Sequence, residues 1–272
     1  MFGKLMNYEL RYLLRIFVPL WAAIVLLCTL TRLTFGFSSD GYTAFEGRAA
    51  VLAAVLVFLT MLALFSTAII VITVVLQRFY KGVFGDEGYL LFTLPVTTGQ
   101  IINAKAISAV LMSVVTGAVT MVGVAIISSH FEDWDMLGTW FGSFMYDYDI
   151  SAASVAMMTF WTIVVVILTV AQGLYQIYLA MAIGQLWKKH PIAGAILAFY
   201  GVQTVVSGIG YGGASLLGGT PMEVMMNALM NMTDGKTKVL AVMAYLIVKS
   251  LVLIVIYFFG TKLILDKKLE LQ

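Results

Sequence analysis

Charge is what this chain has least of. Only 11% of its 272 residues are Asp, Glu, Lys or Arg, whereas 61% are hydrophobic. A soluble domain of this length needs about 25% charged residues to cover its surface. The composition therefore excludes a water-soluble protein and indicates an integral membrane protein, in line with a mean hydropathy of +0.99. Cysteine is almost missing as well. Cys28 stands alone inside an apolar run, so no intramolecular disulfide can form. The preceding Val25-Leu26-Leu27 lacks the small residues of a lipoprotein cleavage box, which argues against lipidation. No HExxH, GxSxG or paired-cysteine motif is present. Gly235-Lys236-Thr237 looks like the end of a phosphate-binding loop, but the glycine required five positions before Gly235 is Met230, and no strand precedes it.

What the chain does contain is long apolar runs. A membrane helix needs about 20 apolar residues to cross roughly 30 Å of hydrocarbon. Six segments qualify, at 12–35, 49–77, 105–128, 153–187, 192–218 and 239–264. They lack period-2 alternation, so they read as helices rather than barrel strands. No small-x-small cleavage site follows the first run, which is expected to be a retained span. The first run is bounded by Arg15 and Arg32, whose side chains must snorkel toward opposite interfaces. The fourth is too long for a perpendicular span and must tilt or project into water. No internal repeat and no soluble catalytic domain is visible. The expectation is one all-α membrane domain over 1–272.

Six spans place both termini on one side, and basic residues identify that side. With the N-terminus inside, the inner segments hold Lys4, Arg11, Arg15, Arg78, Lys81, Lys105, Lys188, Lys189, Lys262, Lys267 and Lys268. The outer segments hold only Arg32, Arg48, Lys236 and Lys238. The loop after the third span carries Glu132, Asp133, Asp135, Asp147 and Asp149 with no basic residue, and its Trp134, Trp140, Phe141, Tyr146 and Tyr148 suit an outer aromatic belt. Both termini are expected in the cytoplasm. Residues 4–15 read as an amphipathic helix lying in the inner interface, with Lys4, Arg11 and Arg15 on one face and Phe2, Leu5, Met6 and Leu13 supplying apolar contacts, or as a positive-inside flank and nothing more.

The insert between the second and third spans, from Arg78 to Lys105, is the most elaborate segment. Gly85 and Gly88 permit sharp backbone changes. Asp86 and Glu87 favour the start of a short helix, where the macrodipole attracts acids. Tyr89, Leu90, Phe92 and Leu94 then form a sticky face, and Pro95 ends it, giving a short amphipathic helix across the inner membrane surface, with a packed re-entry loop that has no partner as the alternative. Thr97 and Gln100 have the spacing of a capping box for the next helix.

Elsewhere, Met222, Met225, Met226, Met230 and Met232 crowd the segment before the last span. Soft ligands of this kind suit Cu(I), but His130 and His190 fall on opposite sides of the membrane. An outer re-entrant or interfacial helix is the expected reading, because Met also fills irregular gaps. Gly208 and Gly212 have GxxxG spacing, which permits close helix approach or a break in the fifth span. Gln172 and Gln176 are expected to join helices. Lys249 is the single intramembrane charge and a candidate for the substrate path, with snorkelling as its bland alternative. No span carries a mid-depth carboxylate, which argues against aspartyl or metal-dependent membrane proteases and proton relays.

The six spans, the interfacial N-terminal helix and the run Phe84-Gly85-Asp86-Glu87-Gly88-Tyr89-Leu90-Leu91-Phe92-Thr93-Leu94-Pro95-Val96-Thr97 resemble the permease subunits of bacterial ABC-2 type transporters. The resemblance covers nearly the whole chain as architecture and is specific around Arg78–Lys105. It implies that the insert contains a cytoplasmic coupling helix, with Asp86, Glu87, Tyr89, Leu90 and Phe92 docking on a separate ATPase. It further implies ATP and Mg on that partner and no cofactor on this chain. A second permease subunit, identical or a sister chain, would complete an exporter embedded in the lipid bilayer, with no role for nucleic acid. The outer hairpin before the last span resembles the family's re-entrant element over 219–233. A self-contained secondary transporter built on Lys249 and the 208–213 region, or a membrane-embedded enzyme, are the alternatives.

Overall fold

The computed structural model describes residues 2–36, 48–85, 96–128, 138–139, 142–143, 152–187, 189–216, 218–230 and 235–269. These residues contain no strand. They form seven helices: α1 (Phe2–Gly36), α2 (Arg48–Phe84), α3 (Thr98–Ser128), α4 (Ala152–Gly184), α5 (Pro191–Leu216), α6 (Pro221–Met230) and α7 (Gly235–Leu269). All except α6 are long and apolar enough to cross a membrane. Six such helices mark the chain as a multi-pass membrane protein.

Several helices outrun the expected spans. With 35 residues, α1 is about 52 Å long at 1.5 Å per residue, well beyond about 30 Å of hydrocarbon. Residues 4–15 are not a separate helix before a turn; they continue without a break into the first span. The reason is a single buried stripe: Glu9, Leu13, Phe17, Ile24, Cys28 and Thr31 recur at helical spacing along the whole rod. The expected amphipathicity is present all the same, with Lys4, Arg11 and Arg15 exposed. At its far end α2 runs two turns past the expected boundary, because Phe79 and Val83 are buried and reward continuation. α3 begins seven residues before Lys105, which is itself buried, with Ile101, Ile102 and Ala104 also buried around it in sequence. Only residues 85–97 then lie between α2 and α3.

Hydroxyl side chains survive in these apolar helices by bonding to their own backbone. Thr67 and Thr261 each donate to the carbonyl four residues earlier, at 2.7 and 2.8 Å, and of the facing Thr31 and Thr60 one hydroxyl donates to its own carbonyl and the other to its partner hydroxyl.

Packing divides the chain into two units: Met1–Leu94 with Ile107–Gly142, and Pro95–Ala106 with Ser143–Gln272. α3 thus gives its first turns to the second unit and the remainder to the first. In the first unit α1 packs along α2, and the hydroxyls of Thr31 and Thr60 meet at 2.6 Å. Leu13, Phe17 and Met112 form its core, with Trp21, Val71 and Val74 against them. Trp21 Nε1 donates to Thr116 Oγ1 at 2.9 Å. Gly123 lets α3 approach α1 so closely that an added Cβ would lie 2.9 Å from Cys28 Sγ. Cys28 is fully buried there.

In the second unit α4 packs against α5 and α7, and α6 folds onto α5. Gly184 is essential to the α4–α5 turn: a Cβ would fall 2.4 Å from the Ala195 nitrogen. Gln176 Nε2 donates to Gln203 Oε1 at 3.0 Å, the helix-joining role expected of it. α5 runs unbroken through Gly208 and Gly212, and a Cβ at either would meet nothing within 4 Å. Neither a break nor a close approach occurs at this pair among the described residues. α5 ends at Leu216 and is closed off by Gly218, whose φ of 89° belongs to glycine. The Gly219 amide returns to the Ala214 carbonyl at 3.2 Å and that of Gly218 to Ser215 at 3.1 Å, a Schellman closure.

Candidate functional site

Asp86, Glu87, Tyr89, Leu90 and Phe92, the expected coupling residues, lie outside the described residues. The two ends of their insert are described, and both are built with care. At the leaving end, Arg78 on α2 reaches back to Glu9 on α1. Its Nε donates to Glu9 Oε2 at 2.7 Å and its Nη2 to Oε1 at 3.3 Å. The pair is buried, with 7% and 1% of the two side chains exposed. The guanidinium carbon also sits 4.2 Å from the Tyr12 ring centroid and 5.6 Å from that of Tyr8. These three α1 residues, at i, i+1 and i+4, wrap one cation. Directly beyond, Phe84 packs edge-on to Phe79 at 6.0 Å and tilted to Tyr80 at 6.0 Å. The Gly85 amide closes the helix on the Tyr80 carbonyl at 3.2 Å. A Cβ at Gly85 would fall 2.7 Å from the Lys81 carbonyl oxygen, so the exit bend admits glycine best.

At the returning end the expected capping box is present. The Thr97 amide donates to Gln100 Oε1 at 3.2 Å, and the Gln100 amide to Thr97 Oγ1 at 3.4 Å. One turn on, Tyr175 Oη donates to Asn103 Oδ1 at 2.7 Å, which ties the start of α3 to α4. A Cβ on Gly99 would meet Phe258 of α7 at 3.2 Å. Tyr175 stacks edge-on against the same Phe258 ring at 6.3 Å. Nearby in α7, Tyr257 is buried with its hydroxyl unpartnered among the described residues.

Glu9 is not legible as the partner of Arg78 from pattern alone. A signal existed: it is the single acid in a basic, apolar N-terminal helix. Its partner, however, is 69 positions away, beyond the reach of any local spacing rule.

Lys249 lies on the exposed side of α7. Tyr245, Val252 and Ile256 share its face and are also exposed. It makes no hydrogen bond or ion pair among the described residues, and no other candidate site residue is brought to it. The Met-rich segment does form a helix, α6, capped by Thr220 and Glu223: the Thr220 amide donates to Glu223 Oε2 at 2.8 Å. Met222, Met226 and Met230 form its exposed ridge. No cluster of three or more His, Cys, Asp or Glu suited to a metal occurs among the described residues. Comparison with protein-family models, with curated proteins and with solved structures finds no match to the chain.

Proposed function

We propose that this chain is the membrane-spanning permease subunit of an ATP-driven ABC transporter of the ABC-2 type, acting as an exporter. The observation that carries the reading is the construction of the insert's base. A buried bidentate ion pair and two aromatic rings fix α2 where the chain leaves for the insert, and a capping box fixes α3 where it returns. A connecting loop with no partner gains nothing from such anchoring; a loop that must carry force does.

On this reading Asp86, Glu87, Tyr89, Leu90 and Phe92 dock on a cytoplasmic ATPase. ATP closes a dimer of those ATPases, and the differential affinity for ATP biases the permease between two states. A second permease subunit, the same chain or a sister, completes the path, and Lys249 faces it. Both termini and the insert are cytoplasmic in a bacterial plasma membrane. The chain contributes no catalysis of its own.

The test is purification from native membranes in mild detergent, comparing the wild type with Asp86→Lys/Glu87→Lys. The wild type should carry a near-stoichiometric ATPase and the inserted double variant should lose it. Equal ATPase recovery with both would remove the coupling assignment. Repeated absence of any ATPase from the wild type would move the function to a self-contained transporter centred on Lys249.

A further inference from the structure

A partly open cavity of about 400 Å³ lies in the second unit, where α4 and α7 pack. Thr162 and Val165 form one wall; Val239, Val242, Met243 and Leu246 form the other. Its lining is almost wholly apolar. Thr162 brings the one neutral hydroxyl, and that hydroxyl is turned back to the Met158 carbonyl at 2.8 Å. The exception is Lys238, which borders the cavity at one end.

Lys238 makes no ion pair or hydrogen bond among the described residues. It occupies the first turn of α7 and the second position of the span Thr237–Lys267, so it sits at headgroup depth. The positive end of the helix macrodipole lies in the same turn. From Lys238 the cavity follows α7 to Leu246, eight residues deeper, or about 12 Å. That reach stays within one leaflet of a hydrocarbon core about 30 Å thick.

These features impose two demands on an occupant. An apolar groove left empty forfeits dispersion contacts along its walls, and it offers water no partners. An unpaired ammonium at the interface favours an anion. Inorganic anions meet only the second demand, and neutral lipid tails only the first.

We propose that this groove is a binding site for one anionic phospholipid, its phosphate held at Lys238 and one acyl chain lying along Val239, Val242 and Leu246 against α4. The site depends on α4 and α7 being spans and not on the transport reading.

The full-length protein in nanodiscs of mixed phosphatidylglycerol and phosphatidylcholine, released for native mass spectrometry, tests this. The wild type should retain phosphatidylglycerol selectively. Lys238→Gln should weaken that retention roughly five-fold, Lys238→Arg should preserve it, and Lys249→Gln should leave it unchanged. Val242→Trp should displace lipid of either headgroup. Excess inorganic phosphate should not compete, because it lacks the chain. Equal phosphatidylglycerol retention by Lys238→Gln, or wild-type retention that ignores the headgroup, would overturn the proposal. Displacement by phosphate alone would reduce the site to an anion contact and overturn it likewise.

Discussion

The Glu9–Arg78 pair allows a quantitative test of how α1 and α2 are held together. Its two bonds, 2.7 and 3.3 Å, are bidentate, and both groups are removed from solvent. Removing one partner takes the bidentate counter-charge from the other in a buried site, a change of the kind that costs about 3–5 kcal/mol. Replacing both with apolar residues of similar volume is often neutral or better, because two desolvation penalties vanish together. The loss of the Tyr12 and Tyr8 contacts with the cation subtracts about 0.5–2 kcal/mol from that recovery. Glu9→Gln and Arg78→Met should therefore each lower the melting midpoint by about 6 °C or more, taking roughly 2–4 °C per kcal/mol for a chain of this size class. The double variant Glu9→Leu/Arg78→Met should regain most of that loss. Thermal melts of a fluorescent fusion, followed by size-exclusion chromatography in detergent, give the midpoints. Single variants within about 1 °C of wild type, corresponding to less than about 0.5 kcal/mol, would refute the reasoning. So would a double variant whose loss equals the sum of the singles. The double variant carries a second readout. If the pair positions the insert, it should regain stability and still fall short in ATPase association.

Two further predictions concern close packing and a buried amide contact. Gly123→Ala should destabilise by about 1–3 kcal/mol, since its Cβ would lie 2.9 Å from Cys28 Sγ; adding Cys28→Ala should restore the midpoint, and a cycle without coupling would contradict the contact. Gln176→Leu should cost about 0.6 kcal/mol and no more than about 1.7, with Gln203→Leu in the same background adding little, as read by the same melts.

Legibility followed the range of each interaction. The six spans, the capping box at Thr97 and Gln100, and the helix over Met222–Met230 were readable because apolar runs and cap spacings are local. The joining role of Gln176 was readable because an amide in an apolar helix demands a partner, although Gln203 could not be named. The ends of α2 and α3 differ from the sequence expectation for one shared reason: Arg78 and Lys105 look like markers of the water boundary, yet both are buried in helices that continue past them. A charge marks an interface when it is solvated, and a sequence does not disclose which charges are paired. The glycines show the same limit. Gly208 and Gly212 had the motif and face open space, while Gly184 and Gly123 had none and sit against neighbours.

The pairing of Glu9 with Arg78 also bears on how an insert could act on distant helices. Buried ion pairs are poor sources of net stability, so stability alone is a weak reason for this one. Its position suggests mechanical use. Arg78 precedes the exit bend at Gly85 by two turns, and Glu9 belongs to a helix that then follows α2 through Leu13, Phe17 and the Thr31–Thr60 contact. Local sliding is a costly way to absorb a displacement of the α2 terminus there, because it would separate two charges that are buried from solvent. The cheaper response is for α1 and α2 to move as one body. An exposed lysine–glutamate pair, screened and worth about 0–1 kcal/mol, would slip under the same load. Burial makes the contact resist shear, which is the property a segment needs if force enters the membrane through the insert.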